Sequence, residues 1–424
     1  MYIEKIKLEN FKSFRALELP LSRFNILIGP NSSGKSTILQ SLLILKNSLK
    51  NTQTHRLTFR EESYDFGDFK DIISLANESQ ELTIGIIASK VLPSYLDDLR
   101  KEEASFGYLV TEGKDGISKI YFGTTMGDHE ITFDWNAKEG VRVNYRNKYN
   151  KSETPLTLAG EQEGPNIRIR SSGNKSIDRD INRLFSNSEF TKHLLDDFQY
   201  IPFYRSATKY GAKLVRVPDD LLSSKPEDLM SATLSKLSKD TKLLELVGNF
   251  IKQLTGKIIR TRNVDLPTAS ADQGVTLEFV KQGFSNAIVN EGTGPNQAIL
   301  LLTILAGSPP GSVIAIDEPE IHLHPKAQSD LAKIIIEISK KDSKQFIFTT
   351  HSEHMLYPFL TNISGKKIGK HELSIYSFDQ DMESNYSIIE RLDVNENGQI
   401  KGGLKGFWEA DIDIFSEFMR DKNG

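Results

Sequence analysis

Cysteine is absent from this chain of 424 residues. The absence excludes disulfide bonds, zinc sites and iron–sulfur clusters held by thiolates, and any cysteine nucleophile. Since no disulfide has to form, the chain needs no oxidising compartment. The N-terminal stretch MYIEKIKLENF carries charges every few residues and has no apolar core of signal-peptide length. We therefore expect a cytoplasmic protein.

Long hydrophobic runs are missing as well. The longest apolar stretch, residues 298–306 (AILLLTILA), is interrupted by Thr303 and is far shorter than the roughly 20 residues of a membrane-spanning helix. We therefore expect that the protein is not integral to a membrane. No charge dominates either, with 53 Lys and Arg against 57 Asp and Glu. Any contact with nucleic acid therefore has to be local.

What is present is the composition of a globular protein with a sizeable core, with 38% hydrophobic and 26% charged residues. The length fits one large α/β domain with an insertion, or two to three domains. Apolar periodicity predicts three parts. Residues 1–150 hold a strand–loop–helix unit and short antiparallel strands over about 82–145; residues 151–272 are an inserted, mostly helical lobe; in residues 273–424 strands and helices alternate.

The lobe itself has a mixed pattern. Residues 147–179 are rich in turn formers and predict a loop with one strand at 166–169. Helical spacing covers residues 181–195 and 226–254, and residues 200–208 (YIPFYRSAT) are expected to be the connector.

A glycine-containing loop follows the predicted strand at residues 24–28 and precedes a predicted helix. It fits the phosphate-binding pattern G-x-x-x-x-G-K-[ST], in which backbone N–H groups at a helix N-terminus wrap phosphate groups. We expect Lys35 to reach the β- and γ-phosphates of a nucleotide, and the Ser36 hydroxyl to bind Mg²⁺. The predicted nucleotide-binding residues are Gly29, Pro30, Asn31, Ser32, Ser33, Gly34, Lys35, Ser36 and Thr37.

Two further apolar strands end in polar residues. SVIAI is followed by Asp317 and Glu318, and QFIFTT is followed by His351. With a P-loop in the same chain, we expect Asp317 to hold Mg²⁺ through water and Glu318 to polarise the water that attacks the γ-phosphate. His351 is expected to hydrogen-bond the γ-phosphate. Taken alone, a histidine after a strand is more often a satisfied surface or core residue.

A turn at residues 291–297 (EGTGPNQ) opens an apolar helix and offers a second N-terminal anion site. Lys35 and Asp317 are 282 positions apart, whereas ring-forming AAA+ or RecA-like motors have their two motifs much closer. The spacing fits the layout of ABC-type ATPases. We therefore expect an α/β fold, a P-loop NTPase of ABC-ATPase type with an N-terminal antiparallel sheet and an inserted helical subdomain.

Four segments carry a family resemblance: MYIEKIKLENFKSF, EGTGPNQ, IDEPEIHLHP and THSEHML. They resemble the RecF/SMC/OLD branch of soluble ABC ATPases, and more closely the small AAA-type ATP-binding proteins that accompany bacterial defence nucleases. EGTGPNQ is then a degenerate ABC signature, since no LSGGQ is present. The resemblance implies nucleotide contacts by Thr293, Gly294 and Gln297 of the signature, His324 of the D-loop, the switch histidine His351 and the Q-loop glutamine, assigned to Gln199.

Two other interpretations concern metals and nucleic acid. His322, His324, His351 and His354 form H-x-H and H-x-x-H pairs, which would also suit a zinc or di-metal hydrolase. The lobe segment 205–262 has 12 Lys or Arg against 6 Asp or Glu, so it could contact phosphate backbones of DNA or RNA. A solvated helical face is the commoner meaning of such charges.

The resulting hypothesis is an ATP-hydrolysing switch that requires Mg²⁺, with Lys35, Glu318 and His351 as catalytic residues. We expect it to dimerise, or form a higher oligomer, around ATP and to act on a nuclease or toxin partner, in antiphage defence. OLD-type relatives carry a Toprim nuclease after the ATPase, but only 73 residues follow His351 here, so we expect no nuclease activity of its own. The alternative is a RecF-like repair ATPase that binds DNA.

Overall fold

The computed structural model describes most of the chain. The described residues are 2–50, 57–61, 64–74, 81–90, 104–113, 118–126, 129–136, 140–147, 156–163, 166–169, 198–202, 212–213, 226–265 and 273–403. The helix predicted at 181–195 lies outside them.

Strands predominate in the first part of the described residues, and strands alternate with helices between residues 293 and 380. The strands are β1 (Tyr2–Phe11), β2 (Phe14–Pro20), β3 (Phe24–Ile28), β4 (Arg60–Glu61), β5 (Tyr64–Asp65), β6 (Glu81–Lys90), β7 (Ala104–Gly113), β8 (Ser118–Met126), β9 (His129–Asn136), β10 (Gly140–Asn147), β11 (Leu156–Glu163), β12 (Asn166–Ile169), β13 (Phe198–Ile201), β14 (Ala212–Lys213), β15 (Ile258–Asp265), β16 (Gln273–Lys281), β17 (Phe284–Ala287), β18 (Val313–Ile316), β19 (Gln345–Thr350), β20 (Leu373–Gln380) and β21 (Ser387–Leu392). The helices are α1 (Lys35–Lys50), α2 (Phe69–Ile72), α3 (Pro226–Lys239), α4 (Thr241–Thr255), α5 (Thr293–Gly307), α6 (Pro325–Asp342) and α7 (Glu353–Ser364).

The N-terminal part forms a nine-stranded antiparallel sheet in the order β12-β11-β10-β9-β8-β7-β6-β1-β2. The predicted antiparallel sheet is thus confirmed. A register shift between Ile3 and Lys5 of β1 breaks the strict alternation, so that Ile3, Ile6 and Leu8 are all buried. Strand β12 is where the sequence predicts it. Strand β11 was expected to be loop; it is a strand because pairing with β10 and β12 satisfies a backbone whose residues locally favour turns.

A six-stranded sheet in the order β13-β18-β19-β3-β20-β21 forms the centre of the molecule. All its pairs are parallel except β20 with β21. In β3, Phe24, Ile26 and Ile28 face one hydrophobic cluster, which includes residues of α4 to α7, while Leu27 faces a second one with residues of α1, β1 and β6. Both faces are therefore covered, as expected for a parallel sheet. The ABC-type α/β fold predicted from the sequence is confirmed.

The predicted lobe, residues 151–272, holds more than helices. Its helices α3 and α4 match the predicted helical spacing at 226–254, but β11 to β15 also fall within it. The last two residues of β13, Tyr200 and Ile201, were expected to belong to a connector. The strand is instead an edge strand of the central sheet, because it pairs in parallel with β18. Strands β14 to β17 make a separate four-stranded antiparallel sheet.

None of the described helices is both long and apolar enough to cross a membrane. Helix α5 is the most apolar; eleven of its fifteen residues are buried in the core, and this explains the long apolar run in the sequence.

Candidate functional site

The loop between β3 and α1 has a backbone that only glycine allows at two positions. Gly29 has φ 142° and Gly34 has φ 98°. A Cβ atom at Gly29 would lie 2.1 Å from the Phe378 carbonyl oxygen, and one at Gly34 would lie 2.5 Å from Ser387 Oγ. Both glycines are therefore required by conformation and by space. The loop is packed on the β20–β21 hairpin, which holds it in this shape.

Lys35, the first residue of α1, is folded back over the loop. Its Nζ donates to the carbonyl oxygens of Gly29 at 2.9 Å and Pro30 at 2.6 Å. Ser33 also donates to the Pro30 carbonyl, at 2.9 Å. Burial lowers the pKa of Lys35, while the charges of Glu318 and Asp317 oppose this shift. The ammonium group is thus held over the loop, where it can reach an anion.

Ser36 and Asp317 meet beneath the loop. Ser36 Oγ donates to Asp317 Oδ1 at 2.8 Å, and Thr349 Oγ1 donates to the same carboxylate oxygen at 2.6 Å. Thr349 Oγ1 also accepts from the backbone N–H of Glu318 at 2.9 Å. A hydroxyl and a carboxylate are oxygen ligands of the kind that Mg²⁺ takes. The predicted magnesium pair, Ser36 and Asp317, therefore fits this ion by its chemistry and by its proximity.

Glu318 and His351 lie next to each other in the site and are partly exposed. Glu318 has the left-handed φ of 46°, uncommon for a residue with a side chain. Its Oε1 lies 3.4 Å from His351 Nε2, and the two side chains are 31% and 35% exposed. Burial and the charge of Lys35 lower the pKa of His351, opposed by Glu318 and Asp317. A carboxyl group and an imidazole are thus exposed side by side.

A cavity of about 300 Å³ joins these groups. Its lining residues are Lys12, Ser13, Asn31, Ser32, Gly34, Lys35, Ser36, Thr37, Glu318 and His351. The lining thus combines two lysines and the N-terminus of α1 with a glutamate and a histidine. The first group suits the phosphate groups of a nucleotide, and the second suits a proton transfer beside them.

The other predicted nucleotide contacts do not line this cavity. Thr293, Gly294 and Gln297 belong to the first turns of α5, where Thr293 is exposed and the other two are buried. His324 is exposed and caps α6 by accepting from Lys326 N. Gln199 is buried within β13. Within the part of the chain that the structure describes, the P-loop, Asp317, Glu318 and His351 come together, and these five residues do not join them.

The zinc hypothesis finds no support among the described residues, where no three His, Asp or Glu side chains are grouped to hold a metal ion. His322 and His324 are exposed. His354 Nε2 lies 3.8 Å from Glu353 Oε1.

Several residues of the site were not singled out from the sequence. Lys12 and Ser13, in the turn between β1 and β2, line the cavity. Ser387 Oγ contacts Ser13 Oγ and the Ser33 carbonyl, both at 2.7 Å. Thr349 holds Asp317. The only signal for Thr349 is a hydroxyl at the end of an otherwise apolar strand, and Ser387 has no sequence signal at all.

The central sheet and the groups at the carboxyl ends of its strands define a P-loop NTPase of ABC type. A family model described as AAA ATPase domain matches residues 1–356. The chain belongs to this family and is an ATPase, and proteins of this family use a nucleotide, usually with Mg²⁺.

Known proteins with similar sequences agree with this assignment. The retron Vc95 probable ATPase of Vibrio cholerae is 22% identical over 84% of this chain and 71% of that protein. The OLD nuclease of Thermus scotoductus is 22% identical over 82% of this chain and 59% of that protein. An Smc head domain, solved with the C-terminal winged-helix domain of ScpA bound, aligns over 93% of this chain and 99% of its own with a TM-score of 0.51 and 16% identity. The predicted membership of the RecF/SMC/OLD branch is confirmed.

Proposed function

We propose that this ATPase is a switch that closes around ATP as a homodimer or higher oligomer and regulates a nuclease or toxin effector in antiphage defence. The observation that carries the proposal is the separation of two anion-binding elements within one chain. Lys35 and Ser36 line the P-loop cavity, whereas Gly292 and Thr293, at the start of α5, are exposed and do not line it. A second copy would supply the missing element.

The start of α5 is chemically suited to a γ-phosphate. Helix N-termini carry unpaired N–H groups and a partial positive charge. Gly292 has no heavy atom within 4 Å of the position of a Cβ, so a ligand group can approach it. Because ADP lacks the γ-phosphate, ATP alone would connect one copy's P-loop with the other copy's α5. The closed dimer would then be favoured by ATP and released after hydrolysis.

Hydrolysis itself is assigned to two partly exposed residues of the cavity lining, Glu318 and His351. Glu318 Oε1 would accept a proton from the attacking water, and His351 would hydrogen-bond the γ-phosphate. Both side chains are about one-third exposed, and a second copy would cover them and exclude bulk water. Mg²⁺, which would be held by Ser36 and Asp317, would offset the charge of the β- and γ-phosphates.

The effector part of the proposal rests on resemblance. The motifs of this chain resemble ATP-binding proteins that accompany bacterial defence nucleases, and one relative is named an OLD nuclease. The chain spans 59% of the length of that relative. We propose that a nuclease or toxin acts as the partner and senses whether the ATPase is open or closed.

The DNA-binding alternative has less support, because basic residues of the lobe are used within the chain. Arg260 and Arg262 both pair with Glu278, and Lys257 pairs with Glu291. Both acidic partners lie outside the segment 205–262, so the excess of 12 basic over 6 acidic residues overstates the local charge. A contact with DNA or RNA stays a prediction.

The state of assembly tests the switch. Glu318→Gln should keep ATP bound, so light scattering should report about twice the monomer mass with ATP and the monomer mass with ADP. Adding Gly292→Asp should abolish the ATP-dependent dimer, because the carboxylate would occupy the start of α5. Adding Gly292→Asn, of the same size and uncharged, should weaken the dimer far less. An identical mass with ATP and ADP would contradict an ATP-driven switch.

A further inference from the structure

A second glutamate near the site, Glu320, is buried behind it. It lies in the turn after β18, and only 7% of it is exposed. Its Oε1 accepts two hydrogen bonds, from Thr350 Oγ1 at 2.6 Å and from the backbone N–H of His351 at 2.9 Å. Glu320 Oε1 thus holds both Thr350, which ends β19, and the backbone of His351, which follows it.

The other oxygen of Glu320 is in a different situation. Oε2 is buried and has no hydrogen-bond partner among the described residues. Without a partner for Oε2, the ionised carboxylate is more costly in such surroundings than the neutral acid. Burial raises the pKa of Glu320, the charge of Glu318 adds to the rise, and the two hydrogen bonds on Oε1 oppose it. Both hydrogen bonds are accepted by Oε1, and the burial of Oε2 without a partner works against a negative charge on this side chain.

The end of β19 is fixed to the acidic turn by two adjacent threonines. Thr349 bonds Asp317 and the N–H of Glu318. Thr350 bonds Glu320. His351 comes next, with its backbone held by Glu320 and its ring 3.4 Å from Glu318. Glu320 therefore helps to set where the His351 ring stands relative to Glu318.

We propose that Glu320 is a positioning residue, which holds the backbone of His351 so that its ring lies beside Glu318, and that this task requires a hydrogen-bond acceptor rather than a negative charge. The proposal rests on the roles in hydrolysis proposed above for Glu318 and His351. Glu318 and Glu320 should therefore respond differently to substitution by glutamine. Glu318→Gln should lose turnover, whereas Glu320→Gln should keep it.

The test compares Glu320→Gln with Glu320→Ala by steady-state phosphate release. The glutamine has the same shape and an amide oxygen that can accept both hydrogen bonds, so its kcat should stay within about twofold of the unmodified protein. The alanine should lower kcat by about 10- to 100-fold, the scale of a misplaced reacting group, and leave KM for ATP little changed. Equal losses in both variants, or no loss in Glu320→Ala, would overturn the proposal.

A double-mutant cycle separates positioning from general damage. If Glu320 acts through His351, then Glu320→Ala combined with His351→Ala should be no slower than His351→Ala alone. Losses that multiply would overturn the proposal. If Glu320→Ala does not fold, Thr350→Val replaces it: the valine has the same shape but cannot donate to Glu320, so kcat should fall several-fold. An unchanged kcat in that variant would equally overturn it.

The test of Glu320 and the test of the ATP-driven switch can fail independently of each other. ATP-dependent dimerisation is measured in the Glu318→Gln background, whereas these variants are compared by turnover. A protein that never dimerises and still shows this contrast between Glu320→Gln and Glu320→Ala would contradict the switch and support the positioning role.

Discussion

Ser36 Oγ lies 2.8 Å from Asp317 Oδ1, and this hydrogen bond joins two residues that are 281 positions apart in the chain. Thr349 Oγ1 donates to the same oxygen from a third strand. The Asp317 carboxylate is thus oriented by a hydroxyl group that follows β3 and by one from β19. The P-loop and the acidic strand end form one site because the central sheet brings them together.

Lys35→Ala should abolish ATP binding. The ammonium group is held over the loop by the Gly29 and Pro30 carbonyls, and its loss removes charge-assisted hydrogen bonds worth about 1.5–3 kcal/mol each. Isothermal titration with ATP should show an affinity at least about 100-fold weaker. Lys5→Ala, at a surface residue paired with Glu18, serves as the control and should bind normally. An unchanged affinity in Lys35→Ala would remove the P-loop assignment.

Glu318→Gln should bind ATP and fail to hydrolyse it. The amide cannot accept the proton of the attacking water, and the expected loss in kcat is about 100-fold or more. Phosphate release under saturating ATP measures this loss, and titration shows that binding persists. Glu353→Gln, a nearby change outside the cavity lining, should keep its turnover. Full activity in Glu318→Gln would show that another group is the base.

Ser387→Ala should raise KM for ATP. Ser387 Oγ bonds the Ser33 carbonyl of the P-loop and Ser13, so its loss should loosen the loop by about 1 kcal/mol, or about fivefold in KM. The matched control is Ser384→Ala in the same hairpin, because Ser384 Oγ bonds Asp381 instead. Steady-state kinetics should separate the two variants. Equal KM values would show that the hairpin does not support the loop.

Gly294 and Gly292 should differ sharply in their tolerance of a side chain. A Cβ at Gly294 would lie 2.5 Å from the His322 carbonyl oxygen, whereas Gly292 has open space. Gly294→Ala should therefore destabilise the fold by about 1–3 kcal/mol, and Gly292→Ala should not. Thermal unfolding of the two variants measures the difference. Equal melting temperatures would contradict the close contact between α5 and the turn at His322.

The sequence was sufficient to predict the residues that meet at the strand ends. A P-loop after β3, an acidic pair after β18 and a histidine after β19 all follow apolar strands, and the carboxyl ends of parallel strands share one edge of a sheet. The α/β fold class could be predicted from the alternation of strands and helices in residues 273–424.

What could not be predicted depends on contacts between distant segments. The last two residues of β13 were assigned to a connector because the four residues of this strand show no period, and only the pairing with β18 defines the strand. The sequence overstates the positive charge of the segment 205–262, because Glu278 and Glu291, which pair with its basic residues, lie further along the chain. Ser387 and Glu320 act through neighbours that no local pattern reveals.

The most direct test of a site shared between two copies mixes Lys35→Ala with Gly292→Asp. Neither variant alone should hydrolyse ATP, since one lacks a working P-loop and the other a working α5 start. A mixed dimer, however, pairs one intact P-loop with one intact α5 start. Phosphate release should recover to about one quarter of the unmodified activity when equal amounts assort at random. No recovery, with heterodimers demonstrated by two different tags, would contradict the shared site.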